Sequence, residues 1–327
     1  MTPRRFLAAG AAGVFGLAGY RASMAEPSHA GKALIAITLD LEMSRNFPRW
    51  ADTHWDYEKG NLDDAKKYTV GVCKRVKAAG GVVHLFVVGR LFEQADVGWL
   101  KDLAPDGHPI GNHTYDHVNV LATKPEDIQF RFQRAPWLIE GRTPEQVIVE
   151  NIRLATAALK SRIGVDPAGF RTPGGFANGL ADRPDVRKWL RDQGFTWVSS
   201  KYPAHPMSKP FEEPAEDMLK AIVAAQEQAQ PFRYPDGLIE VPMSPVSDIG
   251  TFRNGRWRLD WFLTAVRRAA EAVIAKRQVF DLLAHPSCLG IVDPEFKAVE
   301  LLIDLVKRSD GKAVLTGLDA VAERAGT

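Results

Sequence analysis

The chain has 327 residues, of which 45% are hydrophobic and 25% are charged. These proportions are typical of a folded globular protein and differ from those of disordered or membrane-spanning chains. Of its 42 basic residues, three arginines lie in residues 1–25, which contain no acid, so the remainder holds 39 basic and 40 acidic residues. A near-neutral chain without a long basic run argues against a nucleic-acid partner.

The first 25 residues have the layout of an export signal peptide. Arg4 and Arg5 precede a short apolar run over residues 6–19, and small residues follow at the positions that a signal peptidase reads, in Ser23-Met24-Ala25. The apolar run is too short for a membrane span, and the paired arginines resemble a twin-arginine signal. We expect an exported protein, periplasmic or extracellular, that does not span the membrane. An uncleaved anchor or a disordered N-terminus is the alternative.

From residue 33 onwards, short apolar segments alternate with longer amphipathic ones. The short segments predict buried strands, over residues 34–39, 82–88, 108–110, 168–170, 196–199, 238–241, 279–283 and 313–315. The longer segments predict helices, over residues 62–79, 147–161, 185–193, 259–276 and 294–307. Such alternation is typical of a parallel sheet covered by helices. We expect one α/β domain over residues 31–327, closed or nearly closed into a (β/α) barrel.

Two stretches interrupt this alternation. Residues 43–61 follow the first predicted strand, and residues 203–236 are rich in Pro, Glu and Gln, with a predicted helix near residues 216–228. Long loops inside compact domains are often functional, although these two can equally be insertions without a function. The two cysteines, Cys73 and Cys288, are far apart in the chain and are expected to be free thiols.

Polar residues that could form a metal site occur in two segments. His113 and His117 are four positions apart, so both imidazoles could reach one cation from one face of a helical turn. Asp40 and Glu42 follow the first predicted strand, at the end where parallel α/β folds build their sites. A hydrolytic zinc site typically has three protein ligands and one open position. One carboxylate could therefore bind metal while the other serves as a base; a pair of solvated loop residues or a helix cap is the alternative.

Two further polar segments lie at equivalent places. Arg171 follows the predicted strand at residues 168–170 and precedes a rigid turn of Pro173, Gly174 and Gly175. His285 ends the predicted strand at residues 279–283. A lone histidine there is more often structural, but four polar segments at four strand ends predict one shared site.

In this order, the four segments resemble the motifs of the polysaccharide deacetylase family, also called the NodB-homology domain or carbohydrate esterase family 4. The resemblance runs from about residue 33 to the C-terminus. It implies a distorted (β/α)7 barrel, a divalent metal that is usually zinc, and hydrolysis of N-acetyl groups on an acetylated glycan. It also implies roles for individual residues: Asp40 as catalytic base, Arg171 as the residue that orients it, His285 as general acid, and His113 and His117 as metal ligands.

The sequence departs from the family's first motif at Leu41. That position usually carries a second aspartate, which binds the metal, and a leucine cannot do so. We assign Glu42 as the third ligand, with a bound water as the alternative.

The fourth motif also differs. The family usually has an aspartate and a tryptophan near the acid histidine, but the matching residues 195–201 contain no acid. Asp281 and Asp248 are therefore both candidates to orient His285. Trp197 could form a hydrophobic wall of the site or part of the barrel core.

Substrate contacts are expected from Trp55, whose ring could stack on a sugar, and from Pro173, Gly174 and Trp197. Two competing functions stay open: an amidase of the same barrel family that acts on a small non-sugar amide such as a cyclic ureide, and a non-catalytic glycan-binding protein. The chain has no Gly-x-Ser-x-Gly, His-Glu-x-x-His or phosphate-binding loop motif of other hydrolase classes.

Overall fold

A computed structural model describes residues 29–42 and 62–326. The predicted signal peptide, the insertion at residues 43–61 and the candidate substrate contact Trp55 lie outside the described residues. Cys73 and Cys288 are buried free thiols, as expected. None of the helices in the described part of the chain is both long enough and apolar enough to cross a bilayer.

Nine strands form one sheet in the described residues. They are β1 (Ala33–Leu41), β2 (His84–Val87), β3 (Ile110–Asn112), β4 (Gly169–Phe176), β5 (Trp197–Lys201), β6 (Phe232–Arg233), β7 (Ile239–Glu240), β8 (Val279–Ala284) and β9 (Ala313–Leu315). Eight of them are parallel, and seven of these lie side by side in the order β7-β5-β4-β3-β2-β1-β8. The short β9 adds parallel to the beginning of β1, and β6 pairs antiparallel with β7.

Eleven α-helices accompany these strands in the same part of the chain. They are α1 (Leu62–Ala78), α2 (Gly98–Leu103), α3 (Pro125–Ile128), α4 (Phe130–Arg134), α5 (Pro144–Ile163), α6 (Pro184–Asp192), α7 (Glu216–Ala225), α8 (Leu259–Lys276), α9 (Pro286–Val292), α10 (Lys297–Lys307) and α11 (Leu318–Gly326). The helix predicted within residues 203–236 is α7. A π-helix, Ile249–Asn254, follows the last strand before α8.

The longest strand is β1, which pairs with β2, β8 and β9, and its sequence explains that buried position. All nine residues of Ala-Leu-Ile-Ala-Ile-Thr-Leu-Asp-Leu are buried, as expected for a strand covered on both faces. It pairs with β8 along residues 34–39 and with β2 along residues 38–41. Both neighbours run in the same direction, so their carboxyl ends meet at one end of the sheet.

Segments on the β7 side of the sheet, just after β7 and after α7, contact the outer strand β8 without forming a regular ladder. The backbone N–H of Ser244 donates to the carbonyl of Asp281 at 3.2 Å, and the N–H of Asp281 donates to Ser244 Oγ at 2.9 Å. Nearer the start of β8, Gln226 Nε2 donates to the carbonyl of Val279 at 3.0 Å. These contacts bring the edges of the curled sheet together, and the predicted distorted (β/α)7 barrel is confirmed.

Several element boundaries differ from the prediction for identifiable reasons. The helix expected at residue 147 begins at Pro144, because Thr143 and Gln146 form a capping box. The helix expected at residue 294 begins at Lys297, because the Asp293 carboxylate accepts the N–H groups of residues 297 and 298. The strand expected at residues 108–110 is β3, two residues later. There His108 Nδ1 accepts the N–H of Val83, and ladder pairing starts only at residue 110.

A tight contact at the start of β4 yields a stability prediction. A Cβ atom on Gly169 would lie 1.9 Å from Trp197 Cζ2, far inside van der Waals contact. We expect Gly169→Ala to lower the free energy of unfolding by about 1–3 kcal/mol, measured by urea denaturation. Gly98→Ala is the control, because its Cβ would meet only the Asp96 carboxylate, at 3.2 Å. Equal stabilities of the two variants would contradict the packing argument.

Candidate active site

The predicted site residues gather at the carboxyl ends of the parallel strands. Asp40 lies near the end of β1 and Glu42 follows it, His113 follows β3, Arg171 lies in β4, and His285 follows β8. All five are buried, with at most 6% of the residue surface exposed. Residues from distant parts of the chain therefore meet because their strands are parallel neighbours.

His117 joins this group through a turn and not through the helical turn that the spacing suggested. Thr114 and His117 have left-handed backbones, with φ of 59° and 56°, a conformation that costs free energy in non-glycine residues. Side chains hold the turn in place of helical hydrogen bonds: Asn112 Oδ1 accepts the N–H of Thr114 at 2.8 Å, and Asn151 Oδ1 accepts that of Asp116 at 2.7 Å. The expectation of a helical turn was wrong.

Glu42, His113 and His117 form a cluster suited to a metal ion. Glu42 Oε1 lies 2.6 Å from His117 Nε2 and 3.3 Å from His113 Nε2, and one ligand atom from each residue falls within 4.8 Å of the others. His113 Nδ1 donates to the carbonyl of Arg171 at 3.0 Å, which fixes the ring so that Nε2 faces Glu42.

The protonation states of this cluster favour a cation. Burial opposes ionisation of Glu42, but the neighbouring histidines outweigh it and hold the pKa of Glu42 well below its usual range. Burial lowers the pKa of His117, although Glu42 opposes that shift. A carboxylate and a neutral imidazole are the forms that bind metal. Within the described residues, Glu42 Oε2 is buried and has no hydrogen-bond partner. The cluster therefore fits a divalent ion, through two imidazoles and one carboxylate.

Asp40 lies beside this cluster and pairs with Arg171. Arg171 Nη1 donates to Asp40 Oδ1 at 3.3 Å, and Asp40 Oδ2 lies 3.8 Å from His113 Nε2. The same guanidinium donates to Asp281 Oδ2 at 2.6 Å. Arg171 thus contacts Asp40 as predicted, and Asp281 is a partner of Arg171.

His285 is oriented by Asp248, one of the two candidates. His285 Nδ1 donates to Asp248 Oδ1 at 2.9 Å, and the backbone N–H of His285 donates to Asp248 Oδ2 at 2.6 Å. Burial disfavours the imidazolium, but the Asp248 and Glu42 carboxylates outweigh burial and raise the pKa of His285 well above its ordinary value. The other ring nitrogen, Nε2, lies 3.6 Å from Glu42 Oε1. The hydrogen bonds to Asp248 therefore fix the ring with Nε2 directed towards the metal cluster.

A cavity of about 300 Å³ opens onto these groups. Asp40, Glu42, His117 and His285 line it together with Gly174, one of the predicted substrate contacts. Its remaining walls come from residues that sequence reasoning missed or did not assign to the site, namely Thr172, Gly175, Tyr202, Met243, Ser247, Ile249, Gly250, Arg253, Asn254 and Leu283. Several of them belong to the π-helix, a distortion that is frequent at functional sites and has no simple sequence signal.

Two predicted substrate contacts do not line the cavity. Pro173 is buried within β4. Trp197 is 2% exposed in the barrel core, packs edge-on against His84 and Phe86, and donates through Nε1 to Asp319 at 2.9 Å. Trp197 is the first residue of β5 and lies at the amino end of the strand, opposite the site. Its assignment as a substrate contact was wrong, and its alternative role in the core is correct.

Comparisons with known proteins agree with this architecture. A family model described as polysaccharide deacetylase matches residues 56–198, which include His113, His117 and Arg171. The resemblance to the polysaccharide deacetylase family is confirmed. Asp40, Glu42, Asp248 and His285 lie outside the matched residues, and the barrel brings them to the same place. No curated protein matches the sequence.

Several solved structures share the fold at low sequence identity. A candidate polysaccharide deacetylase from Mycobacterium smegmatis is 18% identical, with a TM-score of 0.57 over 90% of this chain and 91% of that one. A probable polysaccharide deacetylase from Pseudomonas aeruginosa PAO1 is 13% identical, with a TM-score of 0.63 over 90% of each chain. The PuuE allantoinase is also 13% identical, with a TM-score of 0.62 over 91% of each chain. The barrel is thus of the NodB-homology type.

Proposed function

We propose that this protein is a metal-dependent hydrolase that removes N-acetyl groups from an acetylated polysaccharide or oligosaccharide. The observation that carries the proposal is the single cavity lined by Asp40, Glu42, His117 and His285, in which each acid–base group has its own orienting partner. The layout of residues 1–25 supports export, and we infer that the protein acts in the periplasm or outside the cell.

Glu42, His113 and His117 would hold the metal. A divalent ion such as zinc, when bound, polarises a carbonyl oxygen and lowers the pKa of water. Three protein ligands leave a position open for water or substrate, as is typical of catalytic zinc sites.

Asp40 acts as the general base in this proposal. Its carboxylate is buried beside the cluster and takes the proton of the water that attacks the acetyl carbonyl. Arg171 contacts Asp40 Oδ1, which stabilises the negative charge and aims the carboxylate. Because Asp40 is not needed as a metal ligand, it is free for proton transfer.

His285 acts as the general acid. Its Nδ1–H is committed to Asp248, so Nε2 donates the proton to the departing amine. An amine that leaves without a proton is a poor leaving group, which gives the raised pKa of His285 a function. Base and acid thus come from two neighbouring strands, β1 and the end of β8, and both line one cavity with Glu42.

The cavity size bears on the substrate. At about 300 Å³ it is at the small end of ligand pockets and suits an acetamido group with part of one sugar ring. The rest of a glycan chain would lie across the surface at the carboxyl end of the barrel. Gly174 lines the cavity and Trp55 stays a predicted contact.

The test is acetate release by residues 26–327 loaded with zinc. The substrates are acetylated chitooligosaccharides, peptidoglycan fragments and acetylated exopolysaccharides, each assayed with and without a chelator. Release that stops on chelation and returns with added metal is the expected result. Stoichiometric metal without release from any glycan would favour an amidase acting on a small non-sugar amide. Absence of metal binding would favour a non-catalytic glycan-binding protein.

A further inference from the structure

Arg171 is part of a buried network that extends beyond the base it contacts. Its side chain is fully buried, and its Cζ lies 4.4 Å from the centre of the Phe86 ring. Nη1 donates to Thr38 Oγ1 at 2.8 Å and to Asp40 Oδ1 at 3.3 Å. Nη2 donates to Asp281 Oδ2 at 2.6 Å. One guanidinium is therefore shared between two carboxylates.

The sharing is unequal. Charge-assisted hydrogen bonds between nitrogen and oxygen are usually 2.7–2.9 Å long. The contact of Arg171 with Asp281 is at least this short, whereas its contact with Asp40 is longer and involves only one nitrogen. Arg171 therefore forms the shorter hydrogen bond with Asp281, which lies outside the cavity, and the longer one with Asp40.

Hydrogen bonds hold both the side chain and the backbone of Asp281 in place. Its Oδ1 accepts a hydrogen bond from Thr38 Oγ1 at 2.8 Å, and its backbone N–H and carbonyl both pair with Ser244. The residue is 1% exposed and does not line the cavity. It cannot touch substrate, so any effect on the reaction passes through Arg171 and Thr38.

We propose that Asp281 is a positioning residue for the hydrolysis. Together with Thr38, it holds the Arg171 guanidinium so that a single nitrogen reaches Asp40. Asp40 Oδ2 is then left to accept the proton of water. Without Asp281, the guanidinium would rotate so that two of its nitrogens donate to Asp40. This bidentate pair would engage both oxygens of the Asp40 carboxylate. This inference rests on the proposed function, because it assigns a role relative to the base Asp40.

The first test is Asp281→Asn in the metal-loaded protein. We expect kcat to fall about 10- to 100-fold, the range typical of residues that orient a reacting group from outside the site. KM and metal stoichiometry should stay unchanged. Asp293→Asn is the matched control: Asp293 is also a buried aspartate, but its carboxylate accepts N–H groups at the start of α10. The control should lose stability without a change in kcat.

A second test asks whether Asp281 acts through Arg171. Arg171→Met removes the guanidinium, and Asp281→Asn added to it removes the partner charge, so the double variant leaves no unpaired charge between these two positions. We expect the double variant to have the same kcat as Arg171→Met alone, since groups that act as a unit are not additive. An unchanged kcat in Asp281→Asn, or a loss that adds in full on the Arg171→Met background, would overturn the proposal.

A crystal structure of Asp281→Asn supplies a readout that does not depend on turnover. A bidentate Arg171–Asp40 pair is expected, and an unmoved guanidinium would refute the positioning role. A wild-type protein that releases no acetate would refute the proposed function. The crystal structure of Asp281→Asn would still show whether Asp281 holds the Arg171 guanidinium in place.

Discussion

Asp40→Asn is expected to slow hydrolysis by several orders of magnitude while the fold and the metal site persist. Asparagine has the same shape, and its carbonyl oxygen can still accept the hydrogen bond from Arg171. It cannot accept the proton of water, however, and general-base catalysis contributes about 100- to 10,000-fold to a rate. We expect kcat to fall by that range. Because Glu42, His113 and His117 are unchanged, bound metal should remain stoichiometric.

The measurement is acetate release together with metal content and a thermal unfolding curve. Asp319→Asn is the control, since that carboxylate accepts the Trp197 indole N–H at the other end of the barrel. A variant at Asp40 that keeps its activity would show that another group takes the proton. A variant that loses its metal would show that Asp40 is a ligand, and the roles of Asp40 and Glu42 would have to be exchanged.

Elements built from continuous apolar runs could be predicted from the sequence. β1 and β8 are buried on both faces, so nearly every residue is apolar and the run itself marks the strand. The long helices α1 and α8 were predicted to within one residue at each end. The short helices α3 and α4 escaped prediction, because four or five residues contain too little periodicity to detect.

The partners of the site residues were harder to predict, since they depend on contacts between distant parts of the chain. Asp248 and Asp281 both looked able to orient His285, and both are fully buried. The barrel places Asp248 on the imidazole and Asp281 on Arg171, which is 110 residues away in sequence. No local pattern distinguishes these pairings, because they follow from the order of the strands in the sheet, which brings distant parts of the chain together.

Trp197 illustrates a different limit. Its residue type suits a sugar-binding wall, and β5 was correctly expected near residues 196–199. Whether such a residue packs in the core or lines the cavity depends on which end of β5 it occupies. At the first position of β5 it packs in the core, whereas Tyr202, just after the last position, lines the cavity. A shift of a few residues along one strand therefore separates a core residue from a wall of the site.

Asp248→Asn is expected to move the alkaline limit of activity to lower pH. Burial alone would lower the pKa of His285; the Asp248 carboxylate is the first of the charges that outweigh burial and raise it. If His285 must be protonated to donate to the leaving amine, activity is present below its pKa and is lost as the pH rises through it. Removing the charge of Asp248 lowers that pKa, so the loss should begin at lower pH than in the wild type.

The shape of the pH profile, and not the absolute rate, is the informative measurement. Asparagine can still accept the His285 Nδ1–H, but its amide group would face the backbone N–H that now donates to Asp248 Oδ2. This mismatch costs about 1–3 kcal/mol of stability and reduces the rate at every pH. His285→Gln, which has no titrating ring, should lose most of the activity together with the alkaline limit. An alkaline limit that stays in place in Asp248→Asn would mean that a group other than His285 protonates the amine.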